Sequence, residues 1–276
     1  MSSILRRIHV SKRSLKSVAT SDLTATLVVR LLTVLAGILS GVFTARLLGP
    51  EGRGEFFYWS TLSALAVQFG NFGFHASNTY FLAKGIKLST LLANSFLIAV
   101  LGTAATGMVI LVYLNFDSIP LSMRALPATL TIALIPGGLL YIFGSNLLVA
   151  NGNVRDFNLF EIVSRYLSVA AVLVAPWFWR SSTAVLAALA IATLIVTFPL
   201  FKRLRIIDSS GPLRCDIAVL KAGMGYGIRA YLLAALGFLV LRVNSIILEN
   251  FVGAADFGIW SVAAQIIEPL TMIPAT

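Results

Sequence analysis

Residues 23–56 read LTATLVVRLLTVLAGILSGVFTARLLGPEGRGEF: a long apolar run, a turn punctuated by Gly and Pro, and the start of the next apolar run. A helix rises 1.5 Å per residue, so about 20 apolar residues cross the hydrocarbon layer of a bilayer. The run from residue 24 to 48 meets that length, and Arg6, Arg7, Lys12, Arg13 and Lys16 precede it. It exceeds the 7–15 residues of a secretory signal core and has no small-residue cleavage site after it, so it reads as a retained span.

The pattern continues along the chain. Apolar stretches cover about 24–48, 56–83, 88–114, 124–150, 158–179, 183–201, 223–250 and 258–276, with short polar turns between them. These runs are too long and too uniformly apolar for barrel strands, which alternate over about ten residues. The reading is an all-α polytopic transmembrane helical bundle. Composition agrees: 58% of the 276 residues are hydrophobic, 12% are charged, and the mean hydropathy is +0.91. A soluble domain carries about twice that share of charge.

The net charge of +10 does not signal nucleic-acid binding, because the cations sit in short clusters between apolar blocks. With the N-terminus inside, the inner segments hold the five tail cations, Lys84, Lys87, Arg155, Lys202, Arg203, Arg205, Arg214 and Lys221; the outer turns hold Arg53, Arg124 and Arg180. That asymmetry predicts a cytoplasmic N-terminus. Trp177, Phe178 and Trp179 then lie in the outer interfacial belt. A single cysteine, Cys215, excludes a disulfide framework, and two histidines, His9 and His75, give no metal cluster. No cofactor or metal is expected, nor any catalytic residue.

An internal repeat divides the chain. The turn Gly49-Pro50-Glu51-Gly52-Arg53-Gly54-Glu55-Phe56 has a counterpart 204 residues later in Gly253-Ala254-Ala255-Asp256-Phe257-Gly258-Ile259-Trp260. Both place Gly, four residues, Gly, and an aromatic two further on, and both separate two apolar runs. The expected organisation is a basic cytoplasmic tail over 1–22, a first six-helix bundle over 23–201, a cytoplasmic linker over 202–221, and a second bundle beginning at 222–276 and cut short. The linker, with Ser209, Ser210, Gly211 and Pro212 at its centre, has an apolar–charged interleaving that suggests an interfacial helix.

Three segments carry a family resemblance. The stretch Thr44-Ala45-Arg46-Leu47-Leu48-Gly49-Pro50-Glu51-Gly52-Arg53-Gly54-Glu55-Phe56 resembles the first-loop signature of Wzx-type lipid-linked oligosaccharide flippases, in the multidrug/oligosaccharidyl-lipid/polysaccharide (MOP) exporter superfamily. Asn151 to Asn158 and Tyr226 to Tyr231 are similar to further segments of that family. The resemblance implies a MATE/MOP-like fold of 12–14 helices in two six-helix lobes, of which this chain holds one lobe and the first two helices of the next. It also implies a place in the cell (inner) membrane and alternating access, with a polyprenyl-pyrophosphate-linked oligosaccharide passing from the cytoplasmic to the outer leaflet without covalent chemistry. Coupling to H+ or Na+ and contact with polysaccharide polymerase or assembly proteins would accompany that role. The alternatives are a multidrug or metabolite cation-coupled antiporter of the same superfamily and a membrane-embedded glycan polymerase or acyltransferase.

Charges inside spans are costly and need a reason. A pyrophosphate cargo calls for Arg, whose planar guanidinium binds phosphate through two parallel hydrogen bonds. Arg30, Arg229 and Arg242 are the cavity candidates, and Arg30 and Arg229 lie in spans that the repeat makes equivalent. Arg46, near the outer end, reads either as an interfacial anchor or as a cavity group. Glu161 and Arg165, four residues apart on one helix face, read either as an internal ion pair near the inner interface or as a cargo contact. Asn71, His75 and Asn78 would share one face of an unbroken helix, either as a wall for sugar hydroxyls or as interhelical hydrogen-bonders. Gly223, Gly225 and Gly227 suit close helix packing or a hinge, since no strand precedes them. Pro136-Gly137-Gly138 is expected to kink its span.

Overall fold

The computed structural model describes residues 2–115, 121–208 and 211–272, with side chains described from 24 to 267 apart from 116–123, 209–210, 230, 241 and 250. Seven helical elements follow in chain order: α1 (Ser2–Gly70), α2 (Phe74–Ala83), α3 (Leu88–Asn115), α4 (Leu121–Ala150), α5 (Val154–Phe178), α6 (Ser182–Ile207) and α7 (Ile217–Met272). Six helices are long and apolar enough to cross a membrane, at Thr24–Gly70, Leu88–Asn115, Arg124–Ala150, Val154–Phe178, Ser182–Ile207 and Tyr231–Glu249. No strand occurs among the described residues. The protein is an all-α, multi-pass membrane helical bundle.

Two of the elements are jointed. Helical geometry in α1 fails at Gly49 (φ 71°, ψ 177°), and in α7 at Gly253 (φ 77°, ψ 168°). A side chain at either site would be strained, because that backbone region is open only to glycine. Each element is therefore two helical arms joined at a one-residue elbow. Pro50 opens the second arm of α1, where its missing N–H removes no helical bond. The two elbow glycines are the pair that the 204-residue offset matches, and their backbone angles agree within 10°.

The jointing also explains why eight expected spans become six long helices. Thr24–Gly70 holds two spans in one continuous element, and the arm beyond Gly253 is the shorter apolar helix Phe251–Ile267. The expected span at 56–83 is not one helix. It ends at Gly70, and α2 starts again at Phe74 after a break in which Phe72 (φ 46°) and Gly73 (φ 71°) take left-handed conformations.

α1 packs more extensively on α7 than on any other element, and its opposite side rests on α3, α4, α5 and α6. The main core runs from Phe56, Phe57, Tyr58 and Trp59 beyond the first elbow to Ile135, Leu139 and Phe143 of α4, and takes in Phe257 of α7. A second core joins α3, α4 and α6 through Leu91, Leu92, Leu147, Leu148, Leu200 and Leu204. Around Pro136, the glycines serve packing: a Cβ at Gly138 would meet Val67 Cγ2 at 2.7 Å, and one at Gly137 would meet Thr193 Cγ2 at 2.9 Å.

At the end away from the elbows, Arg203 donates to Asp156 at 2.7 Å, and Asp208 accepts from the Ser89 backbone at 2.8 Å. Asn94 holds the linker, with its Oδ1 accepting from the Asp216 backbone and its Nδ2 donating to the Asp216 carbonyl, both at 3.1 Å. The linker is shorter than its sequence suggests, since α7 already begins at Ile217. Its last charged residue, Lys221, is helical, and no separate interfacial helix precedes α7 among the described residues.

Candidate functional site: the seam between the two jointed helices

The seam between α1 and α7 is built by glycines at each end. At the elbow end, a Cβ on Gly54 would collide with the Ala254 carbonyl, and a Cβ on Gly258 would collide with the Pro50 carbonyl. Under the 204-residue offset Pro50 corresponds to Ala254, and Gly54 to Gly258. The same backbone contact is thus made twice with the roles exchanged, as across a two-fold axis. Away from the elbows, Gly73 and Gly227 approach in the same manner, each bringing its carbonyl against the other's α-carbon. Small residues let helix backbones touch in lipid, where no hydrophobic force drives helices together.

The side chains break this symmetry. Arg53 sits beside the first elbow with 1% of its surface exposed. Its guanidinium donates to Thr44 Oγ1 at 2.5 Å, Ser261 Oγ at 3.0 Å and Gln265 Oε1 at 2.5 Å. It also lies 5.7 Å from the Phe56 ring centre and 5.4 Å from that of Phe57. At the equivalent place beside the second elbow stands Phe257, which packs on Phe57 at 5.5 Å and on Trp260 at 5.6 Å. One half of the seam is polar and the other aromatic. Gln265 closes the polar half further by donating to the Gly37 carbonyl at 2.9 Å.

At the other end the broken helix is satisfied locally. Asn71 Nδ2 donates to the Gln68 carbonyl at 2.8 Å, while its Oδ1 accepts from the Gly73 backbone at 2.7 Å and lies 3.0 Å from His75 Nδ1. The Tyr231 hydroxyl of α7 also donates to the Gln68 carbonyl. His75 stands edge-on to the Tyr231 ring, and Tyr80 stacks on Tyr226 with centres 4.4 Å apart. Interrupted backbone at membrane depth is tolerated where protein or a polar space satisfies it, and here α7 contributes to that.

The sequence candidates separate accordingly. On the first arm of α1, Arg30, Gly37, Gly41 and Thr44 recur at helical spacing, so exposed Arg30 lies on the stripe that meets Gln265 and Arg53 nearer the elbow. On the first arm of α7, Tyr231, Ala235, Phe238, Arg242 and Ser245 form the corresponding stripe. Arg242 is half-buried there, 5.6 Å from the Phe238 ring centre. Arg229 is on the other side of α7. It shares a face with Leu233 and Val240, both exposed, and so it does not oppose Arg30 across the seam.

The shared face expected for Asn71, His75 and Asn78 does not exist, because the helix is interrupted between Gly70 and Phe74. Asn71 belongs to the break, and His75 lies in the first turn of α2. Asn78 points into the bundle, donating to Ser95 Oγ at 2.8 Å. Glu161 and Arg165 form the expected ion pair at 3.2 Å, and Tyr141 donates to Glu161 at 2.8 Å. Arg46 is exposed close to the elbow. Arg53 escaped the sequence reading, which counted it among the outer-turn cations. The available signal was the offset, which sets a charge against Phe257 between glycines of close approach.

No family model and no curated protein matches the chain. A solved structure described as protein A matches 92% of this chain with a TM-score of 0.65 at 15% identity. The chain spans 61% of that protein's length. At that identity the likeness speaks for the fold.

Proposed function

We propose that the chain is part of a transporter that flips a polyprenyl-pyrophosphate-linked oligosaccharide across the cell membrane by alternating access. The observation that carries this reading is the seam: two equivalent jointed helices meet through reciprocal backbone contacts at their elbows, α7 is held again by the break that follows α1, and each jointed helix has an arginine on its seam-side stripe. Such repeats move as units around a site held between them. Arg30 and Arg242 would then meet the pyrophosphate, because paired N–H donors fit phosphate oxygens in a site of low dielectric. Transport of this kind forms and breaks no bonds, so the groups needed are those that bind and release.

The loops between the far ends of the helices bring Lys84, Lys87, Arg155, Lys202, Arg203 and Arg214 together at one end of the bundle. Under the positive-inside rule that end faces the cytoplasm and the elbows face outward, and the flippase reading assigns the chain to the inner membrane. A cation-coupled antiporter would want an unpaired carboxylate at the seam, whereas Glu161 already holds Arg165 and Tyr141.

Deletion of the gene tests the proposal. Surface glycan should disappear while lipid-linked repeat units accumulate in the cytoplasmic leaflet, and a plasmid copy should reverse both. Normal glycan display in a deletion strain with no second flippase would refute it.

A further inference from the structure

Arg53 presents an unusual balance. Its charge is withdrawn from water, yet its three hydrogen-bond acceptors are an amide and two hydroxyls, all neutral. Among the described residues no carboxylate lies within ion-pair distance of it. A purely structural buried arginine is ordinarily paired with an acid, because the desolvation of the charge is otherwise poorly offset. Hydrogen bonds from a cation to an anionic oxygen are roughly twice as strong as neutral ones. A phosphate oxygen arriving at Arg53 therefore competes well against all three present partners, where it would compete poorly against a carboxylate.

Two of those partners lie across the seam, and the third lies across the elbow of α1. Ser261 and Gln265 belong to the second arm of α7, and Thr44 to the first arm of α1. What Arg53 gives up on binding an anion is the polar half of the elbow contact. On the aromatic side, Phe257 stacks on Trp260 at 5.6 Å, and the guanidinium contacts the rings of Phe56 and Phe57 rather than these two. A pocket of about 430 Å³ is walled by Ala45, Pro50, Ile259, Val262 and Ile266, with Arg53 its one charged lining residue. That pocket gives a phosphate carried on an apolar chain a place beside the cation.

We propose that Arg53 is a phosphate-responsive latch: the pyrophosphate of the cargo draws the guanidinium from Thr44, Ser261 and Gln265 and so frees the two elbows to part. This rests on the flippase reading and adds to it the trigger for opening. The loss of polar contact is confined to one side, so the elbows part first where Arg53 was and hinge on the aromatic contact.

The test uses the full-length protein with Cys215→Ser, Glu51→Cys and Ala255→Cys, spin-labelled at the two exposed and equivalent elbow positions. The distance between labels is measured in phosphatidylcholine nanodiscs with inorganic pyrophosphate, and with sodium chloride at matched ionic strength. Pyrophosphate should populate a second, longer distance, and chloride should not. Arg53→Gln, measured below its thermal midpoint, should abolish the response, whereas Lys87→Ala, an exposed cation at the opposite end of the bundle, should keep it. Gln265→Leu, which weakens the closed side without touching the cation, should lower the half-saturating pyrophosphate severalfold.

An unresponsive parent protein, or an Arg53→Gln protein that responds like it, would overturn the latch. An equal opening caused by phosphatidylglycerol nanodiscs alone would overturn its assignment to cargo. The glycan phenotype of the deletion strain reads the transport function separately, so either proposal can fail without the other.

Discussion

The two elbows have the same backbone and opposite surroundings. Val29 and Ala36 on the first arm of α1 are 7% and 1% exposed, while their counterparts Leu233 and Val240 on α7 are 83% and 66% exposed. Leu62, beyond the first elbow, is 6% exposed, and its counterpart Ile266 is 43% exposed. α1 packs on α3 to α6 as well as on α7, whereas α7 packs chiefly on α1 and α2 among the described residues. Fold at the elbow is thus set locally by Gly49 and Gly253, independently of what later packs on the arms. The comparison also shows what is shared by both copies, the glycine contacts, and what is particular to one, the Arg53 network.

The shared part should be the most fragile. Gly54→Ala and Gly258→Ala each drive a methyl into a backbone carbonyl that has no rotamer by which to yield. Each should destabilise the seam by about 3 kcal/mol, the upper range for overpacking, with little folded protein recovered in detergent; the two should fail alike. A strong difference between them in thermal unfolding would break the two-fold relation.

Next comes the part that differs. Arg53→Leu leaves Gln265 Oε1 without its donor and removes one bond each from Thr44 and Ser261, whose hydroxyls keep their backbone carbonyls; it should cost about 2–3 kcal/mol, within the range for a buried acceptor left unsatisfied. Phe257→Leu, the equivalent change in the aromatic half, should cost about 1 kcal/mol, within the range of volume-conserving core swaps. Denaturation midpoints of the pair check the ranking, and equal losses would erase the proposed asymmetry.

Overpacking the covered arm compares the two surroundings. Val29→Trp should destabilise by about 1–3 kcal/mol, while Leu233→Trp in this chain should be nearly neutral, because nothing described restricts that face. At the elbows themselves, Gly49→Ala and Gly253→Ala should each cost about 1–3 kcal/mol through strain in a backbone region that side chains rarely enter. Matching losses for those two would sharpen the equivalence of the elbows.

Much of this was legible in sequence. Length and uniformity of the apolar runs gave the bundle, and the matched Gly-x4-Gly spacing gave both elbows. The four-residue separation of Glu161 and Arg165 gave their ion pair, because that spacing fixes one helix face. The break at Asn71-Phe72-Gly73 was hidden inside an apolar run: Phe72 at φ 46° leaves no compositional mark, and the polar residues around it read as a helical face. Arg53 was hidden for a different reason. A charge beside a turn is ordinarily solvated, and its burial comes from Ser261 and Gln265, more than 200 residues away. Arg229 failed as a partner for Arg30 because equivalent spans do not guarantee equivalent faces.

The central claim is that the seam must open for transport. Disulfide trapping tests it most directly: Gly41→Cys with Gln265→Cys in the Cys215→Ser background places a cross-link where the Gln265 side chain already meets Gly41. Surface glycan should be displayed by reduced cells, be lost when the pair is oxidised, and return on reduction. Undiminished display with the cross-link complete would contradict the account.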